Sequence, residues 1–345
     1  MGNKYLIILC FLWCFILTGC VTEQFMATPT VKHLTTLQIK DYICIGEYDV
    51  KHIRGKPFTV DFEGNFYLAY YSGDLVNIKK YNSQGKYITG WFSERKKRTS
   101  YDKEVADILA DKENIYLIYG KAYHSFRLNS DDGFSYYDYN SYIDIFDLNG
   151  KFITVIETKK DSGVQKFVRY LTKDKNGNFY LASQTYIEKY DANWKLQSIL
   201  YPFEHKWYEK RSNSLGGALI CDLAVASKGY IYTILKFGIH GNVFFAKFDS
   251  SGKLIKKWFS KDKDKLYFGS LEIDPDDNLY ALSIDGRNIY HIQKFDSSGN
   301  FITEWNSQGT EHQYDTIYTD MKIDSKGNVY VGSGNGAIKK FSPKQ

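Results

Sequence analysis

The sequence predicts an all-β fold, a six-bladed β-propeller of four-stranded antiparallel blades whose ring is closed by an N-terminal strand. The first observation behind this is a turn that the chain repeats six times. It reads DFEGNFY at 61–67, DKNGNFY at 174–180, DPDDNLY at 274–280 and DSKGNVY at 324–330, with degenerate copies DKENIY at 111–116 and ASKGYIY at 226–232. All six copies end on tyrosine: Tyr67, Tyr116, Tyr180, Tyr232, Tyr280 and Tyr330. Successive tyrosines lie 49, 64, 52, 48 and 50 residues apart, the period of a repeat architecture. The second observation is another hairpin in each repeat: KYNSQGKYI (80–88), IFDLNGKFI (145–153), KFDSSGKLI (247–255), KFDSSGNFI (294–302) and the degenerate KYDANWKL (189–196). Two hairpins give four strands per repeat, and such a unit buries both faces only against neighbours in a closed ring.

Within one repeat the chemistry is that of strand, tight turn, strand. With the turn glycine (Gly64, Gly177, Gly229, Gly327) as position zero, Asp stands three residues before it and Asn or Asp close by. These residues accept positive φ or hydrogen-bond their own backbone. Apolar residues fall at positions minus four and minus six, as in Val60 and Phe58 or Ile323 and Met321, the alternation of a half-buried strand.

The D-x-x-G-N-x-Y turn followed by the K-F-D-x-x-G-K-F hairpin resembles the NHL-repeat six-bladed propellers, including bacterial lipoproteins of that kind, over about Gly46 to Phe341. The resemblance implies architecture. Function does not follow from it, because this fold hosts unrelated activities.

In chain order, residues 1–19 read as a lipoprotein signal peptide. Lys4 is the positive n-region, and Tyr5 to Leu17 is apolar but too short to span a bilayer. The LTGC that follows, 17–20, resembles a lipobox in which Cys20 is lipidated. Cleavage before Cys20 removes Lys4 and lowers the formal charge from +5 to +4. Residues 20–33 form a polar tether and 34–345 the propeller. Leu34 to Ile45 has strand character and is the donor expected to complete the last blade, whose own second hairpin only begins at AIKKF, 337–341. Lys121 to Tyr142 is read as an insertion in the second blade, carrying Tyr136, Tyr137, Tyr139 and Tyr142. Cys10 and Cys14 leave with the signal. Cys44 and Cys221 are expected as free, small apolar groups, and no CxxC motif is present.

Both hairpin turns of every blade point to one face of the ring, so the longer connections line the other. That loop face collects the candidate ligand-binding residues His52, Arg54, Tyr71, His124, Trp207, His240, Arg287 and His312. Aromatics and cations around a concave mouth suit an anionic or carbohydrate-like ligand. At the channel, position minus seven carries Pro57, Asp107, Tyr170, Asp222, Ser270 and Asp320, and position minus five carries Thr59, Leu109, Thr172, Ala224, Glu272 and Lys322. Asp107, Asp222 and Asp320 alternate around the ring and could hold Ca²⁺, which takes several oxygen ligands. The plainer expectation is no cofactor, with each Asp bonding the backbone of the preceding loop and water filling the channel. Related lyase and lactonase propellers use metal-bound carboxylates or histidines near the channel, so a metal-dependent lyase or lactonase is the alternative function. No HExxH, GxSxG or P-loop supports catalysis. An exported location and a charge of +4 argue against nucleic acid as partner. The expectation is a lipid-anchored module of the bacterial cell envelope, periplasmic or surface-exposed. It would bind a protein, a small molecule or a carbohydrate through its loop face.

Overall fold

A computed structural model describes residues 42–49, 57–72, 75–93, 103–125, 136–158, 168–202, 218–237, 243–259, 265–285, 290–306, 320–332 and 337–343. They form six sheets of four antiparallel strands. Blade one is β2 (Phe58–Val60), β3 (Phe66–Ser72), β4 (Leu75–Tyr81) and β5 (Tyr87–Phe92). Blade two is β6 (Lys103–Ala110), β7 (Asn114–Ser125), β8 (Tyr136–Asp147) and β9 (Phe152–Glu157). Blade three is β10 (Tyr170–Lys173), β11 (Phe179–Ala182), β12 (Ile187–Tyr190) and β13 (Leu196–Leu200). Blade four is β14 (Ala218–Val225), β15 (Ile231–Phe237), β16 (Val243–Phe248) and β17 (Leu254–Trp258). Blade five is β18 (Lys265–Ile273), β19 (Leu279–Asp285), β20 (Tyr290–Phe295) and β21 (Phe301–Asn306). Blade six is β22 (Asp320–Ile323), β23 (Val329–Gly332), β24 (Ala337–Pro343) and β1 (Tyr42–Asp49).

The inner strands β2, β6, β10, β14, β18 and β22 contact one another in series, and β2 meets β22, so the ring is closed. The closure expected of the N-terminal segment is present: the described strand is Tyr42–Asp49, which overlaps the expected Leu34–Ile45 at Tyr42–Ile45 and runs four residues beyond it, while residues 34–41 lie outside the described residues. It pairs antiparallel with β24 from Tyr42 opposite Pro343 to Asp49 opposite Ala337. A register shift between Cys44 and Gly46 breaks the two-residue period there, so alternation did not carry the strand on to Asp49.

The repeated turn earns its sequence through one buried hydrogen-bond set. In blade one, Asp61 Oδ2 accepts from the Tyr67 hydroxyl and from Asn65 Nδ2, each at 2.9 Å, while Oδ1 accepts the backbone N–H of Glu63 and Asn65. Asp174 with Tyr180, Asp274 with Tyr280 and Asp324 with Tyr330 repeat this. The shortened turn of blade two keeps the pair, Tyr116 donating to Asp111 at 2.9 Å. Where Ala226 replaces the Asp, Tyr232 donates instead to the Ser297 carbonyl of the next blade, at 2.8 Å. The tyrosine is therefore core and turn lock at once, its ring fully buried and its hydroxyl satisfied.

Between blades, the bulky residue near the end of one outer strand packs on the second turn of the next blade. Trp91 lies over Gly150, Leu200 over Gly252 and Trp258 over Gly299. Blade three has Trp194 at that turn position, at φ 62°, and its ring stacks on Phe179 with centroids 4.0 Å apart. Where it is described, at 121–125 and 136–142, the segment expected as an insertion in blade two lengthens a hairpin: β7 and β8 are each 12 residues long and pair from Asn114–Asp147 out to Ser125–Tyr136.

Candidate functional site: the central channel

Two of the three channel aspartates, Asp107 and Asp222, directly follow a backbone irregularity, as does Ser270; Asp320 opens β22 in regular register with β23. The inner strands β6 and β14 shift register between Val105 and Asp107 and between Ile220 and Asp222, and β18 does so between Phe268 and Ser270. Such bulges turn the following side chain out of its regular direction. Asp107 Oδ1 then accepts its neighbour Ile108 N–H at 2.8 Å, and Oδ2 accepts the Leu171 N–H of blade three at 2.9 Å. Asp222 repeats the arrangement, accepting Leu223 N–H at 2.7 Å and the Leu271 N–H of blade five at 2.6 Å. Asp320 accepts Met321 N–H at 2.9 Å and the Phe58 N–H of blade one. The alternation read along the chain is thus a set of clasps joining blades two to three, four to five and six to one. These aspartates bond the next blade's inner strand, not the preceding loop.

The remaining junctions are closed by other means. Ala110 N–H of blade two donates to Thr59 Oγ1 of blade one at 3.0 Å. Ile220 N–H of blade four donates to the Gln184 carbonyl of blade three at 2.7 Å. Ser270 Oγ of blade five donates to Asp320 Oδ1 at 3.3 Å. Every junction of the ring carries a hydrogen bond of this kind.

One step deeper stands a cation. Lys322 Nζ is 3.1 Å from Glu272 Oε1 and 3.2 Å from Asp320 Oδ1, and Asp107 and Asp222 lie within its electrostatic reach. The lysine and Glu272 side chains keep 15% and 24% of their surface open to the channel, so the pair is deep but not sealed. Burial raises all four carboxyl groups, and Lys322 opposes the rise in each; Glu272 is raised to about 7. The lysine itself is held well above its ordinary value: burial lowers it, but the surrounding carboxylates outweigh that. The phenol of Tyr170, between Asp107 and Asp222 in the ring, is raised by burial and by Asp222. Cys221, the extra residue of the β14 bulge, is a half-buried free thiol raised to about 11 by burial, and therefore unreactive.

Both oxygens of Asp107 and of Asp222 accept strand N–H groups, and an ammonium already stands beside Asp320. A divalent cation here would have to share these carboxylates with a neighbouring positive charge, so the donor set suits Lys322 better than calcium. Among the described residues, no group of three or more His, Cys, Asp or Glu is arranged to hold a metal ion. Sequence reasoning placed Lys322 and Glu272 at the channel without making them functional. The signal was a lone lysine at a position otherwise occupied by Thr, Leu, Ala and Glu.

The loop-face residues are not brought together by the described structure. His52, Arg54, Trp207, His240, Arg287 and His312 lie outside the described residues, as does Cys20. Tyr71 and His124 lie on β3 and β7 by their backbone alone. By contrast His291 is a buried β20 residue with Nδ1 2.8 Å from Glu304 Oε1.

No protein-family model and no curated protein matches the chain. Among solved structures, the chain is similar to the Pan2 WD40 domain of Neurospora crassa at 11% identity and a TM-score of 0.50, over 91% of this chain and 98% of that one. It is also similar to a protein of unknown function from Bacteroides caccae, at 12% identity and a TM-score of 0.48, over 73% of this chain and 81% of that one. At these identities the likeness concerns fold. The protein is a six-bladed β-propeller.

Proposed function

We propose that the chain is an NHL-like, lipid-anchored β-propeller of the bacterial cell envelope that binds a protein or an anionic or carbohydrate-like ligand through its loop face. The observation that carries the binding reading over a metal-dependent lyase or lactonase is the channel. Its aspartates are engaged in holding blades together and its counter-charge is the protein's own Lys322. A site whose carboxylates serve the ring has little left for chemistry, and recognition then falls to the loops. Anchoring rests on the LTGC sequence ending at Cys20, and the NHL relationship on the repeated turns.

Two measurements test this. Elemental analysis of the purified chain, with thermal melts before and after EDTA, should show no stoichiometric metal and no shift. A bound metal lost together with several degrees of melting temperature would move the site to Asp107, Asp222 and Asp320 and favour the enzyme. Palmitate labelling in a bacterial host should vanish in Cys20→Ser, and persistent label would remove the anchor.

A further inference from the structure

We infer that the hairpin-turn face of the ring rests on an anionic lipid surface, so that the loop face points away from the membrane. The proposal deepens the anchored-module reading and rests on two independent placements.

The first is where the chain enters. Strand β1 begins at Tyr42 opposite Pro343, and Pro343 lies beside the blade-six turn, where a Cβ on Gly327 would stand 3.6 Å from its Cγ. The segment before Tyr42, which contains Cys20, therefore joins the ring at the turn face.

The second is what that face presents. The second residue of the outer strand is isoleucine in blades one, two, four and five. Ile88, Ile153, Ile255 and Ile302 are 49%, 51%, 51% and 48% exposed, each directly after a turn and thus at the same rim. The residue before each Ile is aromatic or leucine, and exposed lysines adjoin the first three of these pairs: Lys86, Lys151 and Lys253. Inside this circle the first turns of the blades expose Lys112, Lys175, Lys228 and Lys326 against Glu63, Glu113 and Asp276. The aspartates of the second turns stay ionised but are held back against their own N–H groups, as Asp147 is on Asn149 and Lys151, whereas the lysines beside the isoleucines are exposed. Apolar side chains at a rim with exposed lysines beside them match the boundary of an anionic bilayer, where apolar area and basic charge add. A purely electrostatic partner would not call for the isoleucines.

The test uses the chain from Val21 to Gln345, which retains all six sheets, so its outcome does not depend on lipidation. Cosedimentation with vesicles of phosphatidylglycerol and phosphatidylcholine should exceed that with phosphatidylcholine alone by about ten-fold or more, and fall with added salt. Triple substitution of Ile153→Glu, Ile255→Glu and Ile302→Glu should abolish it. Lys151→Glu with Lys253→Glu, at exposed positions that leave the core intact, should weaken it several-fold. Equal binding to both vesicles, no binding, or binding unchanged in the variants would overturn the proposal. Concentration-dependent self-association lost in the isoleucine variant would overturn it too, by assigning the rim to a second copy. Loss of palmitate label with vesicle binding intact would remove the anchor and leave this surface standing.

Discussion

Lys322 is one ammonium set among four carboxyl groups, and its neighbourhood gives the ring an unusual dependence on pH. Unfolded, Glu272 ionises near its ordinary value of 4.5; folded, it keeps its proton to about pH 7. Between those values the folded state binds the extra proton, so stability falls as pH rises. Asp107, Asp222 and Asp320 are raised as well and act in the same direction. Asp111, lowered by its bond from Lys173, acts oppositely and only at more acid pH. Urea unfolding at about pH 5 and about pH 7.5 should therefore show the ring more stable at the lower value, with Glu272→Gln flattening the slope. Lys322→Met should cost roughly 3 kcal/mol at the higher pH and clearly less at the lower, because protonated carboxyls need no counter-charge. A cost independent of pH would mean that the lysine acts by packing alone. At this scale the sequence was half legible. The three aspartates alternate visibly once the turns are aligned, but their partners are N–H groups of strands 49 residues away or more, which no local pattern encodes.

Turns and strand ends show how the elements hold one another. A second-turn glycine does two jobs in blade two: Gly150 sits at φ 89°, and a Cβ there would lie 2.4 Å from Trp91. Gly177, on a first turn at φ 86°, meets nothing closer than Ala192 Cβ at 3.4 Å. Gly177→Ala should thus cost about 1 kcal/mol from backbone strain. Gly150→Ala should cost about 2–4 kcal/mol, since overpacking adds to the strain. Equal costs, read from denaturant midpoints, would show that the turn–tryptophan contact does not join the blades. The turns were the most legible elements because their residues are dictated by backbone geometry that recurs in every blade. The long β7–β8 pair was not. Its Tyr-rich stretch lacks the repeat signature, and pairing between Lys121–Ser125 and Tyr136–Asn140 depends on two distant segments meeting in register.

The whole molecule is a ring in which no blade is complete without its neighbours, and the last is incomplete without the chain's beginning. The clasps at the channel, the residues seated on the next blade's turns and β1 on β24 are three successive layers of closure, from axis to rim. That arrangement gives a closed ring with two unlike faces, one of tight hairpin turns and one carrying the longer connections, and the proposed recognition is assigned to the latter. The number of blades and the closing partner were readable from the tyrosine period and from the missing strand of blade six. The continuation of the closing strand from Gly46 to Asp49 was not, because an edge strand needs only backbone pairing on one side and a bulge at Cys44–Gly46 obscures its alternation. The most direct test is removal of Tyr42–Asp49 from the chain, followed by thermal melting and limited proteolysis. Melting should fall by about ten degrees or more and broaden beyond a single cooperative transition, with cleavage spreading from β24. An unchanged, single sharp transition would contradict the closed ring on which the account stands.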